Sequence, residues 1–227
     1  MESKGILLVL EGIDGSGKAT QAALLEKHFL AEGRAVRRVS FPDYDSPSSA
    51  LVKMYLAGDF GKDPSDVNPY AASLFYAVDR FASFRMKWKR FYEEGGIVIA
   101  DRYTTSNMVH QMTKYDSLEE RAAFLRWLER TEYEELDLPR PDAVFLLEVP
   151  LSLSENLVRH RAAQGGSMDI HEQHIGYLRR CHDAYQELAC RYGWYRVSCT
   201  EEGKLLSPEA ISAVLIKEVR DIFSRRP

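Results

Sequence analysis

One ten-residue stretch, EGIDGSGKAT at residues 11–20, constrains the fold of this chain more than any other feature. It follows the apolar run ILLVL directly, and it contains a glycine, four further residues and then Gly17 and Lys18. Glycines at this spacing let backbone N–H groups converge on phosphate oxygens, and a following helix adds partial positive charge at its N-terminus. The stretch therefore predicts a phosphate-binding loop between a strand and a helix. The alternative is a glycine-rich turn with a surface lysine.

Short apolar runs of the kind found in buried parallel strands recur along the chain. Three are clear and two are weaker, at 6–10, 97–100 and 143–149, and at 35–41 and 194–199. Helical patterns follow the loop and lie between the runs, at about 68–93, 118–132, 173–192 and 208–223. This alternation predicts an α/β, three-layer P-loop NTPase fold, a five-stranded parallel sheet with helices on both faces. Ligands of such sheets bind at the carboxyl ends of the strands.

Net charge and composition limit the binding partners and the cellular compartment that we expect for this chain. A formal net charge of −4 argues against nucleic acid as a partner, because nucleic-acid binding favours a basic face. The apolar run before Glu11 is too short for a signal peptide core or a membrane span. Three cysteines without CxxC spacing suggest reduced thiols. We therefore expect one domain without internal repeats, in the cytoplasm, with no nucleic-acid or membrane partner.

The loop lacks a hydroxyl that such loops commonly supply. Ala19 stands where a serine or threonine helps to hold magnesium, and Thr20 comes one position late. Asp14, inside the loop, could bind the metal or a substrate hydroxyl, or it could cap the helix. Asp101 ends a strand and could orient metal-bound water, while Arg102 could bind a phosphate through two hydrogen bonds. Because Mg²⁺ keeps several waters and few protein ligands, we expect it on Asp14, Asp101, phosphate oxygens and water.

Two further groups of residues suggest an acceptor site and a lid. Tyr76 and Arg80 are four positions apart on a predicted helix, so a base-stacking ring and a phosphate-binding arginine could share one face. Core packing with a surface arginine is the alternative. Arg159 and Arg161 precede the polar stretch QGGS, which predicts a short lid at about 159–172. Such a lid brings positive charge to a transferring phosphoryl group and excludes water; a solvated helix end is the alternative.

Together these motifs resemble the thymidylate kinase family of nucleoside monophosphate kinases, in the family's order along most of the chain. The matching segments are EGIDGSGKATQ, SFPDY, FYAVDR, DRYTTSNMVHQ and DIHEQHIGYL. The resemblance implies a single P-loop kinase domain over residues 1–227. It implies transfer of the γ-phosphoryl group of ATP to dTMP, with Mg²⁺, to give dTDP for dTTP synthesis. It also implies a homodimer.

The resemblance assigns roles to individual residues. Catalysis would rest on Asp14, Lys18, Asp101, Arg102, Arg159 and Arg161. The ATP phosphates would lie against Gly12, Ile13, Asp14, Gly15, Ser16, Gly17, Lys18, Ala19 and Thr20. The dTMP site would consist of Phe41, Pro42, Tyr76, Arg80, Arg102, Asn107 and Gln111. Arg80 and Arg102 would hold the dTMP phosphate, and Tyr76, or else Phe75, would stack on thymine.

One further position supports the assignment, and two others leave the identity of the phosphoryl acceptor undecided. Gly15 agrees with arginines in the lid, because family members with glycine there place the catalytic arginines in that segment. Tyr44 replaces an arginine that many members set against the acceptor phosphate, and His110 replaces a tyrosine that favours the deoxy sugar. A kinase of the same fold for another nucleotide or a nucleoside is therefore an alternative. A third possibility, suggested by Ala19, is a nucleotide-binding module with weak catalysis.

Overall fold

Five apolar segments of the chain form one parallel sheet in the computed structural model, which describes residues 5–154 and 175–225. The strands are β1 (Ile6–Glu11), β2 (Val36–Ser40), β3 (Ile97–Asp101), β4 (Ala143–Glu148) and β5 (Tyr195–Ser198). They lie in the order β2-β3-β1-β4-β5, so β1 is central. In the register, Leu8 of β1 lies opposite Ile99 of β3 and Ala143 of β4. The predicted α/β fold with a five-stranded parallel sheet is confirmed.

Helices occupy the connections between these strands, and one more follows the last strand. They are α1 (Lys18–Ala31), α2 (Ala50–Leu56), α3 (Pro69–Ser83), α4 (Lys89–Glu93), α5 (Thr104–Met112), α6 (Leu118–Glu129), α7 (Ile175–Tyr192) and α8 (Pro208–Ser224). A π-helical segment, Phe84–Trp88, joins α3 to α4, and another, Arg130–Glu135, extends α6 beyond the predicted end at 132. The short strands β6 (Thr200–Glu201) and β7 (Lys204–Leu205) form a hairpin. The sequence did not predict α2, α5 or this hairpin.

The two faces of the sheet are covered by different helices. On one face, Leu7 and Val9 of β1 belong to a buried cluster with residues of α5, α6 and α7. On the other face, Leu8 and Leu10 pack in a cluster that includes Leu25 of α1 and residues of α8. Successive strand side chains point to opposite faces, so a strand buried on both sides must be apolar at every position. The continuous run ILLVL reflects this arrangement.

Local polar residues set where several helices begin. Asn68 precedes Pro69 of α3, and its side chain accepts a hydrogen bond from the backbone N–H of Tyr70 at 2.8 Å. Ser207 caps α8 in the same way, with Pro208 as the first helical residue. Proline suits this position because its missing N–H would have no helical partner.

Two further observations concern the expected lid and membrane crossing. Arg159, Arg161 and the lid predicted at about 159–172 lie outside the described residues. Within the ranges 5–154 and 175–225, no helix has both the length and the apolar character needed to span a bilayer.

Candidate active site

The loop after β1 leads into α1 at the carboxyl end of the central strand, where the sequence predicted it. Gly12, Gly15 and Gly17 have φ angles of 147°, 79° and 86°, a region that other residues rarely adopt. At Gly12 an added Cβ would lie 2.7 Å from Ser16 Oγ and 2.8 Å from the carbonyl oxygen of Leu147. The glycine at position 12 is therefore required by close approach as well as by conformation. Ala19 and Thr20 lie exposed in the first turn of α1.

Lys18 is buried against the loop that carries it. Its Nζ donates hydrogen bonds to the carbonyl oxygens of Gly12 and Ile13, each at 2.9 Å, and lies 3.5 Å from Ser16 Oγ. Burial, together with the charge of Arg102, lowers the pKa of Lys18 to about 8. A buried cation compensated partly by neutral carbonyls attracts an anion. The loop can therefore hold phosphate oxygens beside this amine.

Arg102 follows β3 in a conformation unusual for a residue with a side chain, with φ of 68°. Its backbone N–H donates to the carbonyl oxygen of Leu10 at 3.1 Å. Its guanidinium forms an ion pair with Asp14 and donates to Ser106 Oγ and Tyr185 OH, both at 3.1 Å. Left-handed backbone in a non-glycine residue costs energy and clusters at functional sites. The arginine is thus fixed at the edge of the phosphate loop.

Asp14 and Arg102 were predicted separately, and the structure joins them. Burial alone would raise the pKa of Asp14, but the positive charges of Arg102 and Lys18 outweigh that effect and hold this pKa well below its usual range. Asp14 is therefore a carboxylate in the folded protein. The sequence reasoning did not anticipate that its partner would be this arginine.

An open cavity adjoins the loop on the side of Asp14 and Arg102. Its walls bring together residues from five parts of the chain: Asp14, Phe41, Pro42, Tyr44, Leu56, Tyr76, Arg80, Arg102, Tyr103, Ser106, Asn107, His110 and Gln111. All seven residues predicted for the acceptor site are among them.

The two candidate stacking residues occupy different environments. Tyr76 lines the cavity. Both rings pack against Tyr55, at centroid distances of 6.3 Å for Tyr76 and 6.4 Å for Phe75. Phe75 also packs against Phe60 at 5.5 Å and is not among the residues that line the cavity. Tyr76 is therefore the ring that a ligand in the cavity can reach.

Arg80 has a buried partner that sequence reasoning missed. Glu132, fully buried, accepts from Arg80 Nε at 2.6 Å and from Nη2, and also from Thr104 Oγ1 at 2.7 Å. The same carboxylate lies 3.4 Å from Asn107 Nδ2. Glu132 comes four positions after the buried Leu128, so an acidic residue on the apolar face of a predicted helix was the available signal.

Two buried amides in the cavity wall have unused hydrogen-bonding capacity. Asn107 and Gln111 are 3% and 0% exposed. Among the described residues, Asn107 Oδ1 and both amide atoms of Gln111 have no hydrogen-bond partner. Buried polar atoms are normally paired, so these groups are suited to a polar ligand.

The two residues that depart from the family pattern also line the cavity. Tyr44 is about half exposed at its rim, with 51% of its surface accessible. His110 lies deeper, with Nδ1 3.0 Å from the hydroxyl of Tyr177 and 3.6 Å from Cys181 Sγ. Both are therefore placed where they can affect acceptor choice.

A second cavity meets the loop on the side of β2, and its wall includes Ala19 and Asp101. Within the described part of the chain, no group of three or more His, Cys, Asp or Glu residues could hold a metal by itself. Asp101 contributes a carboxylate near Lys18, while Asp14 is paired with Arg102. These donors fit a magnesium ion that takes most of its ligands from phosphates and water.

The parallel sheet with a glycine loop over a buried lysine, and an acceptor cavity beside it, defines a P-loop phosphotransferase. A family model described as thymidylate kinase matches residues 10–209. The chain is 34% identical over 196 residues to the thymidylate kinase of Mycobacterium tuberculosis (strain CDC 1551 / Oshkosh), covering 83% of this chain and 87% of that protein. This chain belongs to the thymidylate kinase family.

Further similarities agree with this assignment. A probable thymidylate kinase of Thermococcus kodakarensis is 34% identical over 193 residues, covering 81% of this chain and 84% of the relative. The solved structure of the thymidylate kinase from Candida albicans has the same fold, with a TM-score of 0.67. It is 21% identical, and the match covers 96% of this chain and 92% of that one.

Proposed function

We propose that this protein transfers the γ-phosphoryl group of ATP to dTMP and so forms dTDP for dTTP synthesis. A phosphate oxygen of dTMP forms a bond to the γ-phosphorus, and the bond from that phosphorus to the β,γ-bridging oxygen breaks to leave ADP. The observation that carries the proposal is the cavity beside the loop, whose wall combines two arginines, an aromatic ring and two buried amides. Membership of the family supports the same reaction.

On the donor side, residues 12–20 would cradle the ATP phosphates. The loop N–H groups and the N-terminus of α1 supply partial positive charge. Lys18 would exchange its bonds to Gly12 and Ile13 for phosphate oxygens. Stabilising the charge that spreads over the transferring group is the main catalytic requirement of such reactions.

On the acceptor side, Arg102 would bind the dTMP phosphate, because it lies between the loop and the cavity. Asp14 would accept from a sugar hydroxyl or contact the metal. Tyr76 would stack on thymine, while Asn107 and Gln111 would bind its polar edge. Arg80, which shares the carboxylate of Glu132 with Asn107, stays our proposed second arginine for the dTMP phosphate.

Mg²⁺ is the expected cofactor. When bound, it would neutralise developing charge on the phosphates. Asp101 is the better-placed carboxylate of the two predicted, since Asp14 is already paired with Arg102. Arg159 and Arg161 remain our proposed lid arginines, supplying charge to the transferring group. Replacing either should reduce kcat more than ATP binding.

A coupled assay with ATP tests the acceptor directly. Turnover should be greatest with dTMP among dTMP, dUMP, dCMP, dGMP and thymidine. A different preferred acceptor would support the alternative of a related kinase, and no turnover of any would support the nucleotide-binding module. Lys18→Ala and Arg102→Ala should each lower kcat/KM by at least about 10²-fold. Arg90→Ala is the matched control, because this arginine is 91% exposed on α4.

We also infer a homodimer. Leu74, Val78 and Phe81 lie at helical spacing on α3 and are 44%, 51% and 38% exposed. A continuous apolar stripe of this kind suits a second copy of the chain. Light scattering should give the mass of a dimer, and Val78→Glu should give that of a monomer; a monomeric wild-type protein would contradict the inference.

We propose a cytoplasmic location and a single kinase domain over residues 1–227. Cys181, Cys190 and Cys199 form no disulfide with one another, which is compatible with a reducing compartment. Fractionation of cells that express the chain tests the location.

A further inference from the structure

Glu11, the last residue of β1, is fully buried although it carries a carboxylate. Its Oε1 accepts from the Tyr103 backbone N–H at 3.3 Å and the Thr105 hydroxyl at 2.6 Å. Its Oε2 accepts from the Ser106 hydroxyl at 2.7 Å and the Tyr185 hydroxyl at 3.0 Å. Burying a carboxylate is costly unless hydrogen bonds compensate it, and here four donors do so.

Two of these four donors also contact the arginine proposed to bind the acceptor phosphate. Arg102 Nη1 donates to Ser106 Oγ and to Tyr185 OH, each at 3.1 Å. Both N–H bonds of Nη1 are thus used, and Nη2 is directed to Asp14. The orientation of the guanidinium therefore depends on where the two hydroxyls direct their lone pairs.

Glu11 determines those directions. A hydroxyl has one proton to donate, and Ser106 and Tyr185 each give theirs to Oε2 of Glu11. Their lone pairs are left to accept from Arg102. Burial, together with the charge of Glu11, raises the pKa of Tyr185 well above its usual value, so the phenol keeps its proton and remains a donor.

We propose that Glu11 is a positioning residue for Arg102, which it orients through Ser106 and Tyr185 without touching the substrate. The inference rests on the proposed function, since that function assigns Arg102 to the acceptor phosphate. Glu11 also binds the backbone N–H of Tyr103, directly after the left-handed Arg102. It therefore restrains both the backbone and the side chain of the arginine.

The substitution Glu11→Gln tests this arrangement with little change of shape. Its amide has one oxygen and one NH₂ group, so one side of the site gains a donor. If the NH₂ faces Ser106 and Tyr185, those hydroxyls must accept from it and turn their protons towards Arg102. If it faces the other side, it meets the N–H of Tyr103. In both orientations a donor replaces an oxygen that accepts hydrogen bonds in the native protein.

The experiment measures binding of dTMP and of thymidine by titration calorimetry, together with kcat and KM for dTMP. Loss of a hydrogen bond to a charged group corresponds to about a 10- to 100-fold effect. Glu11→Gln and Tyr185→Phe should weaken dTMP binding and raise KM by about this factor. Thymidine, which lacks the phosphate, should bind within about threefold of wild type. Thr105→Val is the control, because Thr105 bonds Glu11 but, among the described contacts, not Arg102.

Tyr185→Phe and Ser106→Ala decide the question if Glu11→Gln does not fold. Equal weakening of dTMP and thymidine would show a merely structural role and overturn the inference, as would unchanged dTMP binding. A selective loss in Thr105→Val as large as that in Tyr185→Phe would also overturn it. Wild-type protein that binds dTMP no better than thymidine would refute the phosphate role of Arg102 itself, and with it the proposed function.

Discussion

Removing the carboxylate of Glu132 should destabilise the protein more than most single substitutions. The side chain is completely buried and accepts from Arg80 Nε at 2.6 Å and from Thr104 Oγ1 at 2.7 Å. Glu132→Ala would leave the guanidinium of Arg80, itself only 2% exposed, without its counter-charge. Removing one partner of a buried ion pair costs about 3–5 kcal/mol, because the remaining charge stays buried and uncompensated.

An exposed pair in the same helical segment supplies the control. Arg130 Nε and Glu135 Oε1 are 3.0 Å apart, with side chains 63% and 54% exposed. Such surface pairs contribute about 0–1 kcal/mol, so Glu135→Ala should change the free energy of unfolding little. The double variant Arg80→Met/Glu132→Leu removes both charges and keeps most of the volume. It should recover much of the stability lost in Glu132→Ala.

Urea unfolding with linear extrapolation gives the free energy of unfolding for each variant. A loss of about 3–5 kcal/mol corresponds to a decrease in Tm of about 6–20 °C for a chain of this size. The reasoning is refuted if Glu132→Ala and Glu135→Ala lose equally little stability. It also fails if the double variant is no more stable than Glu132→Ala, since the cost would then not arise from the unpaired charge.

Four shorter predictions concern the phosphate loop. Gly12→Ala should abolish ATP binding in calorimetry, because the added Cβ would lie 2.8 Å from a carbonyl oxygen. At Gly17 an added Cβ would meet no heavy atom within 4 Å. Gly17→Ala should therefore lower the free energy of unfolding, measured in urea, by only the backbone strain of about 1–2 kcal/mol. The pKa of Lys18 is about 8 in the folded protein, against an ordinary value of 10.5. Between these two pH values the unfolded amine keeps its proton and the folded amine does not. The contribution of Lys18 to the free energy of unfolding should therefore rise with pH over this interval. ATP should raise that folded pKa and cause proton uptake at about pH 9, seen in calorimetry as a buffer-dependent heat that Lys18→Met lacks. Ala19→Ser should change kcat by less than about tenfold, because phosphates and water supply most Mg²⁺ ligands; a gain of orders of magnitude would contradict this.

The sheet was predictable because burial on both faces demands apolar residues at every strand position. The run at 6–10 and the run at 143–149 therefore identify β1 and β4 almost to the residue. The loop was predictable for a similar reason, since only glycines permit its backbone. Tyr76 and Arg80 were located through helical spacing, Arg102 through its place after a strand, and the other acceptor residues through motif order. The structure brings all seven into one cavity.

Helix α5 could not be predicted from local preference. Its sequence, TTSNMVHQM, is rich in residues that favour caps and turns over helix interiors. Tertiary structure compensates, because eight of its nine residues are buried and Glu11 accepts hydrogen bonds at its N-terminus. The same long-range contacts explain why Glu11 and Glu132 were missed. Their partners lie far away in sequence, at separations of 92 residues for Tyr103 and 52 for Arg80.

Each key cation of the site contacts acceptors from its own chain. Lys18 binds two loop carbonyls, and Arg102 binds Asp14 and two hydroxyls. A phosphate must therefore replace existing bonds, and the net gain is smaller than that of a new charge-assisted hydrogen bond. We infer that selectivity for dTMP comes from contacts to its phosphate and to its base together. A phosphate that meets only one cation mainly exchanges partners. In contrast, dTMP also uses Asn107 Oδ1 and both amide atoms of Gln111, which have no hydrogen-bond partner among the described residues. On this reasoning Ala19 is not a defect, because the site relies on a distributed set of contacts rather than on one loop hydroxyl.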